Sequence, residues 1–207
     1  NSVGVVGAGA MGQGIAQMAA QAGAQVNLFD TQAPAVQKAI HAITQQWQKM
    51  LENGRISSEN CAAWTARLRA SDRLTDLSGC DLVVEAIVEN LSVKKELFAQ
   101  LEALVPSTTV LATNTSSLSV TAIAAQLSHP QRFAGYHFFN PVPLMKVVEV
   151  VAGLKTSPAV CTHLDAFTRE MGHTPVLTRD TPGFIVNHAG RGYGTEALRI
   201  VGESVSD

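Results

Sequence analysis

Short apolar runs alternate along this chain with segments whose apolar residues recur at helical spacing. Val3 to Val6 is such a run, closed by glycines, and Ile15, Met18, Ala19 and Ala22 then mark one helical face until Gly23 stops the pattern. A second run, Gln25 to Asp30, follows almost at once. Strand, turn, helix and strand in this order, within about thirty residues, make a βαβ unit.

The alternation is then interrupted. Val36, Ile40, Ile43, Trp47 and Met50 or Leu51 mark one face of a long helix ending at Asn53-Gly54, and Cys61, Trp64 and Leu68 mark a second. Together they predict a helical hairpin over residues 34–70, held by its two tryptophans. An unusually apolar run, Asp81 to Val88, resumes the pattern, followed by a helix from about Ser92 with Val93, Leu97, Leu101 and Leu104 on one side. Runs this apolar belong to central parallel strands covered on both faces.

Further strands are predicted over Thr108 to Thr113, Arg132 to Phe138, Lys146 to Val151 and Thr174 to Thr178, with helices near Ser119–Gln126 and Pro158–Gly172. Thr181-Pro182-Gly183 breaks the chain before a last helix, Phe184 to about Val201, that leads out of the domain. The order predicts an α/β fold, a doubly wound and mostly parallel sheet with the hairpin inserted in it.

Composition narrows the partners. Of 207 residues 46% are apolar and 15% charged, and 15 Lys+Arg against 17 Asp+Glu leave a net charge of −2, so neither a nucleic acid nor an acidic membrane surface is expected to bind. Cys61, Cys80 and Cys161 have no metal or redox spacing, so no metal is expected and reduced thiols in the cytoplasm are. No apolar stretch reaches membrane-spanning length and no secretory signal opens the chain, although a removed transit peptide would leave no trace.

Gly7-Ala8-Gly9-Ala10-Met11-Gly12 fits G-x-G-x-x-G in the context that gives the motif meaning: after a strand, opening a helix, with Asp30 ending the next strand. Gly7 permits the turn, Gly9 lets the backbone approach a pyrophosphate, and Gly12 brings helix against strand, while the helix N-terminus favours the phosphates. A glycine turn needed only for packing is the plainer alternative. Asp30 accepts ribose hydroxyls and repels a 2′-phosphate, and Thr31, Gln32 and Ala33 bring no arginine, so NAD is expected rather than NADP.

Ligands of such sheets lie beyond the carboxyl ends of the strands, which singles out Glu89-Asn90, Asn114 to Ser117, His137 to Pro141, and Asn187. Taken alone, the Ser/Thr run reads equally well as a helix cap and His137 as a core residue. Glu149 changes the balance. In Val147-Val148-Glu149-Val150-Val151 a buried carboxylate needs a partner, and a histidine that becomes positive during turnover is one. The alternative is an edge strand with Glu149 in water.

Taken together, G-A-G-A-M-G, V-E-A-I-V-E-N, T-N-T-S-S-L, H-F-F-N-P-V-P-L-M-K-V-V-E-V-V and T-P-G-F-I-V-N resemble the L-3-hydroxyacyl-CoA dehydrogenase family over nearly the whole chain. The resemblance is nearest to bacterial members acting on 3-hydroxybutyryl-CoA, or on 3-hydroxyadipyl-CoA in phenylacetate breakdown. It implies NAD-dependent oxidation of an acyl-CoA substrate in β-oxidation, with His137 as general base and Glu149 its orienting partner. It also implies that Ser116 and Asn187 meet the reacting oxygen or the thioester, and that Glu89, Lys94, Ser116 and Asn140 lie along the ribose and nicotinamide of NAD, beside Gly7, Gly9, Ala10, Met11, Gly12 and Asp30.

The resemblance further implies that residues 1–182 are the NAD-binding domain, that the hairpin touches CoA, and that 183–207 begin an all-helical dimerisation domain which these residues do not contain. The hairpin departs from the Ser and Lys expected at CoA contacts, offering Ile40 and Trp47 near those points. Two alternatives stand beside this reading: a dehydrogenase of a free β-hydroxyacid, and a non-catalytic dinucleotide-binding protein, a sensor or crystallin-like relative, which would keep the glycines and Asp30 without needing Ser116, His137, Glu149 and Asn187.

Overall fold

A computed structural model describes residues 1–205. The apolar runs become strands of one eight-stranded sheet in the order β3-β2-β1-β4-β5-β6-β7-β8, comprising β1 (Ser2–Val6), β2 (Gln25–Phe29), β3 (Leu68–Ser71), β4 (Leu82–Glu85), β5 (Val110–Thr113), β6 (Phe133–Phe138), β7 (Val147–Ala152) and β8 (Thr174–Arg179). Neighbours pair in parallel except β6 and β7. The reversal of winding between β1 and β4 opens the crevice in which doubly wound sheets hold nucleotides.

Helices cover both faces. On one, α1 (Ala10–Gln21), α2 (Ala33–Glu52), α3 (Ser58–Arg67) and α6 (Pro158–Glu170) bury Ile15, Ile43, Trp47 and Leu164 against the sheet. On the other, α4 (Leu91–Leu104) and α5 (Val120–Ala124) bury Phe98, Leu101 and Ile123. In α2 the buried residues Val36, Ala39, Ile43 and Trp47 keep helical spacing. Trp47 and Trp64 meet at 5.7 Å between ring centroids, so the tryptophans do pack the hairpin together. Truncating so buried an aromatic costs about 3–5 kcal/mol.

Three expectations need correction. In α4 the buried residues are Lys94, Phe98 and Leu101 rather than the face from Val93 to Leu104, and Val93 is exposed, because the ion pair of Lys94 with Glu85 turns that side inward. Leu68 does not end the second hairpin helix but begins β3, paired with Val26, because the unpaired edge of β2 offers backbone partners that a local apolar count cannot see. The run Asp81 to Val88 is strand only through Glu85: the Ala86 N–H still donates to the Val6 carbonyl at 2.8 Å, and the chain then leaves the sheet over Gly7. The last helix, α7 (Val186–Gly202), buries none of its own residues.

Candidate active site

The glycine turn shapes the first part of the site. A Cβ on Gly7, where φ is +106°, would sit 2.5 Å from the Ala86 carbonyl oxygen, and one on Gly12 would fall inside the Gly7 carbonyl. Around Gly9, by contrast, a Cβ would meet nothing within 4 Å, so this side of the turn is open. No side chain caps α1, and its first N–H groups and positive dipole end face that space.

Asp30 is anchored beside the turn. Its Oδ2 accepts the Ala8 N–H at 2.8 Å and its Oδ1 the Gln32 N–H at 2.9 Å. Next to it Phe29, Leu74, Ile87 and Leu97 line a slot of about 270 Å³ with Glu96 and Gln100 at the rim, residues the sequence reading assigned to no site. An apolar slot for a base, a carboxylate for ribose and an uncapped helix start for a pyrophosphate fit the parts of NAD in the right order.

A second cleft of about 430 Å³ brings together Met11, Glu89, Ser116, His137, Asn140 and Asn187 from five separate stretches of chain. Asn187 donates to the Ser116 carbonyl at 3.3 Å, tying α7 to the loop after β5. Lys94 and Glu149 are not in the cleft wall, being 1% and 0% exposed.

His137 and Glu149 are opposite one another in the antiparallel β6–β7 register, so their side chains share a face of the sheet. His137 Nδ1 and Glu149 Oε2 are 2.7 Å apart, and Oε1 accepts the amides of Ile185 and Val186 at 2.8 and 2.9 Å. The imidazole is flanked by Phe139 and Phe184, at 4.4 and 5.7 Å between centroids. With Nδ1–H committed to the carboxylate, Nε2 remains to take a proton from a group in the cleft.

Glu85 anchors a second buried network. Lys94 Nζ lies 2.5 Å from its Oε1 and 3.4 Å from Glu89 Oε2, while the Thr113 hydroxyl donates to Glu85 Oε2 at 2.7 Å and the Ile87 amide to Oε1 at 2.7 Å. Lys94 therefore reaches the cleft through Glu89. Burial acts to raise the Glu89 carboxyl pKa, but the Thr115 hydroxyl, Lys94 and the Ser116 amide outweigh it and hold the group below its ordinary value. The reasoning that found Glu149, an acid inside an apolar strand, applies equally to Leu82-Val83-Val84-Glu85 and would have found Glu85 too.

A third groove, also about 430 Å³, runs between α1, α2 and the loop after β6, with Lys49, Arg55 and Lys146 among Gln46, Asn53 and Leu144. None of these three cations is in an ion pair among the described residues. Trp47 is buried and Ile40 half-buried, so the polar groups of the hairpin lie at positions other than those two. Among the described residues no cluster is placed to hold a metal, and no helix is long and apolar enough to cross a membrane.

A family model described as 3-hydroxyacyl-CoA dehydrogenase, NAD binding domain, matches residues 2–181. The chain is 46% identical over 205 residues to 3-hydroxyadipyl-CoA dehydrogenase of Escherichia coli (strain K12), covering 99% of this chain and 43% of that protein. It is 43% identical over 202 residues to the mitochondrial hydroxyacyl-coenzyme A dehydrogenase of Sus scrofa, covering 95% of this chain and 64% of that one. Among solved structures, 3-hydroxybutyryl-CoA dehydrogenase from Escherichia coli K12 is similar with a TM-score of 0.96 at 46% identity, over 100% of this chain and 44% of that chain. The chain thus spans less than half the length of each E. coli match.

Proposed function

The chain belongs to the 3-hydroxyacyl-CoA dehydrogenase family through its NAD-binding domain, and on that premise we propose that it oxidises an L-3-hydroxyacyl-CoA to the 3-ketoacyl-CoA. The observation that carries this reading is the buried Glu149–His137 pair opening on a cleft that adjoins the dinucleotide turn. NAD, when bound, supplies the hydride acceptor. Gly7, Gly9, Ala10, Met11 and Gly12 hold its pyrophosphate side, Asp30 its adenosine ribose, and Glu89 and Asn140 its nicotinamide ribose, with Lys94 fixing Glu89 from behind.

His137 Nε2 removes the proton of the 3-hydroxyl, and Glu149 keeps the imidazole in the tautomer and orientation for doing so. Ser116 and Asn187 donate to the reacting oxygen or hold the thioester. The cationic groove of Lys49, Arg55 and Lys146 suits the phosphates of CoA, and the loop from Phe139 to Lys146 leads from that groove to the cleft.

Residues 1–182 act in this reading as the cofactor domain, and α7, within 183–207, as a linker helix into a helical domain that closes the cleft and makes a homodimer. Support comes from α7, whose Tyr193, Leu198 and Val201 are exposed. The three free buried cysteines support a cytoplasmic setting.

Calorimetry and turnover test separate parts of the proposal. NADH binds the chain at least about tenfold more tightly than NADPH, since a carboxylate at Asp30 repels the extra phosphate; equal binding would remove its role. Reduction of NAD is measured with 3-hydroxybutyryl-CoA, longer homologues, 3-hydroxyadipyl-CoA and free 3-hydroxybutyrate. Turnover of the thioesters alone supports the proposal, and turnover of the free acid alone overturns it.

A further inference from the structure

The motif Thr181-Pro182-Gly183-Phe184-Ile185-Val186-Asn187 does more than end the domain. Gly183 and Phe184 are consecutive residues with positive φ, 78° and 49°, and Phe184 is a bulky residue in a region that such side chains avoid. Ile185 then returns to φ −101°, ψ −55°. A left-handed residue followed by a right-handed one turns successive N–H groups toward one point, making a small concave anion receptor.

Its occupant is a side chain of the protein itself. Ile185 and Val186 both donate to Glu149 Oε1, while the other oxygen holds His137 Nδ1. No side chain of its own segment caps α7, so Glu149, 36 residues upstream of Ile185, acts as the cap. The turn is closed by Phe184 N–H to the Thr181 carbonyl at 2.9 Å and His188 N–H to the Gly183 carbonyl at 3.0 Å. The same conformation buries the Phe184 ring beside the imidazole.

We propose that the Gly183-Phe184 turn is a positioning device for the histidine: it binds the Glu149 carboxylate in backbone amides, so that the direction in which α7 leaves the sheet is transmitted through Glu149 to His137. Because α7 buries none of its own residues, this turn and the Asn187–Ser116 bond are its described hydrogen-bonded ties to the sheet domain. The catalytic consequence rests on the function proposed above, whereas the geometry does not.

Nuclear magnetic resonance of the 207-residue chain reads the geometry without turnover. The parent gives a strongly deshielded His137 Nδ1–H and deshielded Ile185 and Val186 amides. Gly183→Ala and Phe184→Val, which both penalise positive φ, abolish the Nδ1–H signal by exchange with water. Phe184→Gly removes the same ring but tolerates that φ, and keeps the signal. Equal loss in both Phe184 variants, with the other amides unchanged, overturns the proposal in favour of ring packing, as does a signal untouched by Gly183→Ala.

Should Phe184→Val fail to fold, Glu149→Gln carries the test. It moves the Ile185 and Val186 amides upfield as the charged acceptor is lost, and unmoved amides overturn the proposal. In turnover, Phe184→Val lowers kcat about tenfold more than Phe184→Gly, as expected for a displaced base, with KM for NAD unchanged. A parent that binds NADH and shows the deshielded proton yet reduces no NAD refutes the functional reading and leaves the positioning device standing.

Discussion

Two buried glutamates, one in each half of the sheet, share a degree of burial and differ in use. Glu85 at the end of β4 and Glu149 in β7 are each 0% exposed, and each carboxylate meets three donors. Those of Glu85 are an ammonium, a hydroxyl and an amide. Glu149 gives one oxygen to two amides and the other to an imidazole that lines the cleft. One carboxylate is sealed behind Glu89; the other stands behind a residue that opens on the cleft. Burial alone therefore does not separate the two carboxylates; what separates them is that the partner of Glu149 itself lines the cleft.

The sharpest test of that contrast is His137→Gln. Turnover falls about a thousandfold or more, the scale of a lost general base, while NADH affinity by calorimetry stays unchanged and stability shifts little because Glu149 keeps its two amides. A parallel loss of NADH binding would break the division of labour.

Glu85→Gln should show the reverse profile. It leaves Lys94 buried without its carboxylate, a loss of about 3–5 kcal/mol in denaturant unfolding, and adding Lys94→Met restores most of it. A small loss, or no restoration, would show that the two networks are not different in kind.

The mildest effect is in acid. Asp180 accepts from the Ser119 hydroxyl at 2.7 Å and from the Val120 and Thr121 amides at 3.0 and 2.8 Å, capping α5. Burial acts to raise its pKa, but the bonds from Thr121, Ser119 and Val120 prevail and lower it, as happens at Glu89 in the other half. Both groups are depressed on folding, so their contribution is present above the ordinary carboxylate pKa and disappears as pH falls through the lowered one. Unfolding followed down through pH 4, about the ordinary value, shows that decline. Asp180→Asn flattens it and costs about 1 kcal/mol at neutral pH, as for a helix cap; an unchanged slope would place the acid sensitivity elsewhere.

Much of the cofactor half was legible in the chain. Gly7 to Gly12 and Asp30 lie within one βαβ unit, where local order suffices to specify the backbone conformation of the turn and the place of a single carboxylate. The apolar spacing of α1 and α2 likewise placed their faces, and Glu149 betrayed itself as an acid in an apolar strand, whereas in α4 the face read from Val93, Leu97, Leu101 and Leu104 was misplaced, because Lys94 and Phe98 turn inward beside Leu101 and leave Val93 exposed. The edge strand β3 was hidden because its pairing to Val26 outweighs its local pattern. The slot at Leu74 and Leu97 and the groove of Lys49, Arg55 and Lys146 were hidden for a related reason: each gathers residues from distant segments, none of which is unusual alone.

By itself the sequence determined the winding of the sheet, the dinucleotide turn, the preference expected at Asp30 and the need of Glu149 for a partner, since each follows from local periodicity or from the energetics of one buried group. The tertiary structure alone decided which donors that group meets. The antiparallel register set His137 opposite Glu149, and two residues of positive φ aimed the amides of Ile185 and Val186 at its free oxygen. Hydrogen bonds depend on direction and on tenths of an ångström, and only the packed chain brings residues 36 positions apart to that distance.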